Sequence, residues 1–285
     1  MKTINTNKFI GVFDSGVGGL TVVKEIMNLL PKENIVYLGD TARVPYGNKS
    51  KETIIKYSIE NTKFLLKHNI KLLVVACNTS SSYAIPSLKK MFKNLKIVDV
   101  VSTGAKAAVN STKNNRIGVI GTKATIRSRA YEKKIKKYLK KAKIYAQATP
   151  LFVPLIEEGW IDKVYYEGKE YIRSINHENI IRQVSVEYLA PLKEKNIDVL
   201  ILGCTHYPAI KMIIQDVMGK SVKVVDSAVE TALVVKDILT KYKLLNDQNK
   251  TPSYKFFVTD DPKSFAKVGS LLLNKELKYV KKVNL

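Results

Sequence analysis

The amino-acid sequence predicts an α/β protein built from two pseudo-symmetric parallel-sheet halves with a cleft between them. Short apolar runs rich in β-branched residues alternate with helical periodicity along the chain, the pattern of right-handed β-α-β units with helices on the sheet faces. Two of those runs, Leu72-Leu73-Val74-Val75-Ala76-Cys77 and Val199-Leu200-Ile201-Leu202-Gly203-Cys204, end in the only two cysteines of the chain. Each cysteine is followed 22 residues later by an aspartate that closes another apolar run, Asp99 and Asp226. The echo extends backward, because Ile10-Gly11-Val12-Phe13-Asp14-Ser15 has its counterpart in Ile117-Gly118-Val119-Ile120-Gly121-Thr122.

The first predicted strand is Phe9–Phe13. Its turn, Asp14-Ser15-Gly16-Val17-Gly18-Gly19, feeds a helix over Leu20–Leu30 that Pro31 stops, and backbone N–H groups at such a helix N-terminus suit an anion. A dinucleotide site would use the same turn, with Asp40 after the strand Ile35–Leu38 as the ribose acid. However, Thr21 stands where the third fingerprint glycine belongs, and a tight strand-to-helix turn accounts for the glycines as well as a ligand does. Thr41-Ala42-Arg43-Val44-Pro45-Tyr46-Gly47 is a loop that sets Tyr46 and the Gly47 amide over the strand ends, where open parallel sheets bind ligands.

A helix over Lys51–His68 leads to the Cys77 strand, followed by a polar turn and helix over Ser80–Phe92, a strand at Ile97–Val100 and a helix opening at Ser102. The second half begins with a strand at Ile117–Ile120, a Lys-rich helix and a strand at Ile144–Ala148. Pro150–Trp160 reads as an irregular segment lining the cleft, His177–Leu192 as a helix, and the Cys204 strand ends in Thr205-His206-Tyr207-Pro208. From Val222 come a strand, a helix over Ala228–Thr240, a strand at Tyr254–Val258 and a helix over Pro262–Leu273. The repeat predicts a discontinuous first domain, residues 1–101 with 221–285, enclosing a second domain of residues 102–220.

At 285 residues the chain suits two ordinary domains, and its 45% hydrophobic and 26% charged residues are those of a soluble globular protein. The polar Met1–Lys8 segment and the lack of a long apolar run predict neither a secretory signal nor a membrane span. Two cysteines at strand ends, without a disulfide framework, point to the reducing cytoplasm. The net charge of +23 raises nucleic-acid binding as a function of another class, with steeply salt-dependent affinity indifferent to the cysteines. Its densest cluster, Lys133, Lys134, Lys136, Lys137, Lys140, Lys141 and Lys143, surrounds Ile135, Leu139 and Ala142 at helical spacing and reads as a solvated helix face; no zinc-finger spacing or aromatic-rich basic motif accompanies it.

Paired thiols admit three chemistries. One nearby histidine and no CxxC pair is a thin ligand set for zinc. A redox disulfide requires the sulfurs in bonding contact. Two-base proton transfer requires an acid and a base on opposite faces of a carbon centre, the geometry that two related halves closing on a cleft generate. Thiols suit it because their ordinary pKa, about 8.5, can be brought toward neutrality. Asp14, at the end of the first strand, is the expected neighbour of Cys77, and His206, two residues after Cys204, that of the second sulfur.

The stretches Gly11 to Leu20, Pro45-Tyr46-Gly47, Ala76-Cys77-Asn78-Thr79, Gly121-Thr122 and Gly203-Cys204-Thr205-His206-Tyr207-Pro208 together resemble the glutamate racemases of the cofactor-independent aspartate/glutamate racemase superfamily. The resemblance implies interconversion of L- and D-glutamate without pyridoxal phosphate or metal, supply of D-glutamate for bacterial peptidoglycan, and a homodimer. It implies Cys77 and Cys204 as the acid/base pair, and Asp14, Ser15, Tyr46, Gly47, Asn78, Thr79, Thr205 and His206 as residues that contact substrate or assist the thiols, with Asp14 and His206 counted as catalytic. Thr122 and Glu157 are further cleft candidates. An aspartate racemase or another amino-acid racemase of the superfamily is the alternative within the class, decided by the shape of the pocket.

Overall fold

The computed structural model describes residues 6–160, 164–166, 169–171, 175–247 and 250–285. Its elements run β1 (Phe9–Asp14), α1 (Leu20–Leu29), β2 (Ile35–Gly39), α2 (Lys51–Leu66), β3 (Ile70–Val75), α3 (Asn78–Tyr83), α4 (Ile85–Met91), β4 (Ile97–Asp99) and α5 (Val100–Ser111). They continue through β5 (Arg116–Gly121), α6 (Lys123–Ser128), α7 (Ala130–Tyr138), β6 (Lys143–Ala148), α8 (Phe152–Glu157), β7 (Val164–Tyr166), β8 (Lys169–Tyr171) and α9 (Ile175–Lys193). The last are β9 (Val199–Gly203), α10 (Lys211–Met218), β10 (Lys223–Asp226), α11 (Ser227–Lys241), β11 (Tyr254–Val258), α12 (Pro262–Leu273) and β12 (Val280–Lys282).

Two parallel sheets carry the fold, in the orders β12-β11-β2-β1-β3-β4 and β10-β9-β5-β6. The repeat is visible in the order itself: β2-β1-β3-β4 of one sheet corresponds to β6-β5-β9-β10 of the other. Both cysteine-bearing strands, β3 and β9, are inner strands buried along their whole length. Helices cover both faces of such a strand, which is why its sequence is continuously apolar rather than alternating. Burying each of these Val, Ile and Leu side chains contributes about 1.5–3 kcal/mol.

The order corrects the expected domain boundary. β10 hydrogen-bonds to β9, so the chain is still in the second sheet at Asp226 and rejoins the first only at β11, not near Ser221. The repeat requires this, since β10 is the counterpart of β4. The two echoing aspartates turn out to be helix caps: Asp99 accepts from Ser102 N (2.8 Å) at the start of α5, and Asp226 from Ala228 N (2.9 Å) at the start of α11. α5 packs on α7 and α11, and α11 packs on α1, so these two helices tie the halves together.

Three local expectations change. The Ser80–Phe92 stretch is two helices, α3 and α4, with Pro86 in the first turn of α4. The Lys-rich helix is also two, because Arg129 takes a left-handed conformation (φ 55°) between α6 and α7, and α7 ends at Tyr138, so Lys140, Lys141 and Lys143 lie beyond it. Pro150–Trp160 is not irregular: Phe152 and Ile156, four residues apart, bury one face of α8. The hairpin β7–β8 and the edge strand β12 had no expectation, and the side chain of His177 lies outside the described residues.

At the base of the first sheet, Lys71 on β3 sits 2.5 Å from Glu33 Oε2, and its Nζ donates to the carbonyls of Thr6 and Leu244 (2.7 Å each). Glu33 in turn accepts from Asn246 N (2.8 Å), so one buried pair fastens three distant segments. Removing one partner of such a pair strands a buried charge. Lys71→Met should lower unfolding stability by about 3–5 kcal/mol in chemical denaturation; a loss below about 1 kcal/mol, the size of an exposed pair, would show the pair to be solvated.

Candidate active site

The C-terminal ends of β1, β3, β5 and β9 converge on a cavity of about 240 Å³ between the two halves. Its wall includes both cysteines together with Ser15, Tyr46, Gly47, Asn78, Thr79, Thr122, Glu157, Thr205 and His206, every residue expected there from the sequence except Asp14. Asp14 is 1% exposed and lies behind the wall.

Cys77 lies two residues past the end of β3 and caps α3, its sulfur accepting from Ser80 N (3.5 Å) and lying 3.7 Å from Ser15 Oγ. Burial pushes its thiol up to about 12, the negative charge of Asp14 adds to that rise, and the Ser80 and Ser15 hydrogen bonds offset only part of it. In the free protein Cys77 is therefore a thiol at neutral pH, holding a proton.

Cys204 follows β9 and faces a different partner. Its sulfur is 3.6 Å from His206 Nδ1, and His206 Nε2 is 3.1 Å from Glu157 Oε1 at the end of α8. Burial works against protonation of His206, yet the hydrogen bonds and charges of Cys204 and Glu157 outweigh it and hold the imidazole well above its ordinary value. A protonated imidazole thus stands between a sulfur and a carboxylate, oriented by both.

The glycine turn after β1 has no phosphate-binding role to spare. Asp14 fills it with its own carboxylate, Oδ2 accepting from Gly19 N (2.8 Å) and Gly16 N (3.4 Å), and Thr205 Oγ1 of the other half reaches the same oxygen at 3.5 Å. Gly18 is glycine because the other half lies against it: a Cβ there would stand 2.6 Å from His206 Nδ1 and from Thr205 Oγ1. Asp40, the would-be ribose acid, is equally engaged, accepting from Arg43 Nε (2.7 Å), Thr259 Oγ1 (3.0 Å) and the Tyr46 hydroxyl. Tyr46 therefore offers the cavity its ring and backbone, while its hydroxyl serves Asp40 and accepts from Asn61 Nδ2 (3.2 Å).

Known proteins with this arrangement are found readily. The family model for Asp/Glu/hydantoin racemases matches residues 10–234. The glutamate racemase of Geobacter metallireducens is 45% identical over 278 residues, covering 98% of this chain and 97% of its own. The chain belongs to the Asp/Glu/hydantoin racemase family. Among solved structures, the glutamate racemase of Francisella tularensis in complex with D-glutamate is 39% identical with a TM-score of 0.86, covering 98% of each chain. One from Bacillus anthracis is 36% identical with a TM-score of 0.89, covering 99% of each.

Among the residues of this racemase that line the cavity, the sequence reading did not single out Val44, Pro45, Asn48 and Lys123, whereas Pro150, Val153 and Pro154 fall in the segment read as lining the cleft. Val153, Pro154 and Glu157 share one face of α8, a periodicity that was legible once Phe152 and Ile156 were taken as the buried face of a helix. Lys123, the residue after the Thr122 cap of α6, had no signal beyond its neighbourhood. Thr79 and Thr122, from opposite halves, close the wall with hydroxyls 3.1 Å apart.

No group of three or more His, Cys, Asp and Glu side chains able to hold a metal ion occurs among the described residues. What the site does hold is two sulfurs in contrasting settings. Site-resolved alkylation read by mass spectrometry should show the Cys77 rate still climbing with pH well past the ordinary thiol value of about 8.5. Asp14→Asn should shift that profile to lower pH by removing the charge that opposes ionisation. A wild-type profile centred on the ordinary value, unmoved by the substitution, would contradict the buried setting.

Proposed function

We propose that this racemase interconverts L- and D-glutamate by proton transfer between two thiols, Cys77 working on one face of the α-carbon and Cys204 on the other. The observation that carries the reading is the placement of the only two cysteines at equivalent strand ends on the wall of one cavity between pseudo-symmetric halves. The relatives above, glutamate racemases matched over nearly the whole chain, favour glutamate as the substrate.

In one direction a thiolate removes the α-proton. The C–H electron pair moves into the α-carboxylate, the attacking sulfur becomes a thiol, and the opposite thiol delivers its own proton to the other face and becomes a thiolate. The reverse reaction exchanges the roles. Cys77, held as a thiol in the free protein, is set to donate, and regains a proton when it acts as base. His206, kept protonated between Cys204 and Glu157, supports whichever state the second sulfur occupies. Placing a proton carrier within reach on each face contributes a factor of about 10²–10⁴ per group.

The carbanionic intermediate gathers charge on the α-carboxylate, so fixed donors near it lower the barrier. Ser15, Asn78, Thr79, Thr122 and Thr205 supply neutral donors, and Lys123 brings a cation to the wall. The positive net charge draws an anionic substrate inward. The same reading gives the product its use in peptidoglycan precursors in the cytoplasm and includes the homodimer. No helix among the described residues is long and apolar enough to cross a membrane.

Incubating the cofactor-free protein with L-glutamate in deuterated water should give α-deuteration by NMR together with loss of optical activity by circular dichroism. Cys77→Ala and Cys204→Ala should each reduce racemisation by at least about 10³-fold while keeping the native far-UV spectrum. Substantial turnover in either variant would sink the two-thiol mechanism, and exchange on aspartate but not glutamate would reassign the substrate.

A further inference from the structure

Asn78 follows Cys77, lines the cavity and is 2% exposed, yet its two amide ends are treated differently. Oδ1 accepts from the hydroxyl of Tyr131 (2.7 Å), while Nδ2 is buried without a hydrogen-bond partner among the described residues. An amide can flip by exchanging these ends, and which end faces a ligand decides whether it offers donors or an acceptor. Tyr131 belongs to the other half of the molecule. The left-handed Arg129 starts α7 so that the Tyr131 ring lies against Gly203, just ahead of Cys204, and against Gly104. A Cβ at Gly203 would stand 3.2 Å from that ring, and one at Gly104 would stand 3.3 Å from its hydroxyl.

The Tyr131 hydroxyl gives its proton to Asn78 Oδ1, which leaves the Asn78 N–H groups for the cavity.

We propose that Tyr131 is a positioning residue that fixes the flip of the Asn78 amide, so that Nδ2 is presented to a carboxylate of the substrate and the closed arrangement of the halves is a condition for substrate recognition. The counterpart on the other side supports the same logic. Thr205, the residue after Cys204, is held by the first half through Asp14 Oδ2 (3.5 Å) and through its own carbonyl, which accepts from Thr21 Oγ1 (3.1 Å). Each thiol is thus followed by a residue anchored from the opposite half. Tyr131 itself is not among the residues that line the cavity.

This inference rests on the racemase reading, and a double-mutant cycle separates the two. Tyr131→Phe keeps the ring between the glycines and removes only the hydroxyl; it should raise KM for both enantiomers by roughly tenfold, the size of one hydrogen bond with a misoriented amide behind it. In an Asn78→Ala background the same substitution should add nothing to KM, because the residue it acts through is gone. If Tyr131→Phe costs as much in that background as alone, or leaves KM unchanged in the wild type, the positioning role is overturned. Should Tyr131→Phe fail to fold, Gly104→Ala, whose Cβ would crowd the Tyr131 hydroxyl at 3.3 Å, takes its place, with a rise in KM of about two- to threefold that likewise vanishes with Asn78→Ala. Absence of α-proton exchange on glutamate by the unaltered protein would overturn the racemase reading and this inference with it, whereas exchange with an additive penalty overturns the inference alone.

Discussion

A carboxylate buried beside a thiol is the constraint that the rest of the site accommodates. Asp14 has nearly no access to water, so its charge must be met by fixed donors, and the glycine turn exists to supply them. Gly19 has to approach so closely that a Cβ would stand 2.5 Å from that of Asp14, and Gly18 has to let the other half in. The same charge opposes ionisation of Cys77 and draws Thr205 across the cleft. One residue therefore links the turn, the protonation of one sulfur and the apposition of the halves. Its neighbour Tyr37 shows the cost of the arrangement: burial first, then Asp14, drives its phenol well above the ordinary range, and its hydroxyl stays a donor to Gly16 O (2.6 Å).

The backbone is repeated but its chemistry is not. β3 and β9 deliver the two sulfurs in the same way, each from an inner strand of a sheet with matching order. Beyond the strand ends the surroundings diverge: hydroxyls and an amide N–H face Cys77, while an imidazole and a carboxylate face Cys204. Two faces of one carbon need groups of equal reach, which symmetry provides. They also need unequal protonation at the start of a cycle, which only local side chains can provide.

The parts of this structure that were legible in the sequence are those fixed by local pattern. Continuous apolar runs announced β3 and β9, the spacing to Asp99 and Asp226 announced the repeat, and residues adjacent to the cysteines announced most of the cavity wall. What escaped depended on pairing or on distant contacts. The allegiance of β10 is a matter of which strand it bonds, and its own residues suit either sheet. Asp14 was read as the neighbour of Cys77 and, from the family resemblance, as a residue that contacts substrate or assists the thiols; its place behind the wall is set by Gly19 and Thr205. Tyr131 lies in a Lys-rich segment that reads as a solvated face, and only the left-handed turn at Arg129 brings it under the cleft.

The strand order also sets a timetable for the molecule. β5, β6, β9 and β10 follow one another between residues 116 and 226, so the smaller sheet can pair as soon as that stretch has left the ribosome. The larger sheet cannot: β11 must return to lie against β2 and β12 must then add to β11, long after the segment that receives them was made. Until then the β2 edge stands open beside a finished neighbour, exposing unpaired backbone N–H and C=O groups to other nascent chains. The half that carries Asp14 and Cys77, though first in sequence, is the last to be completed.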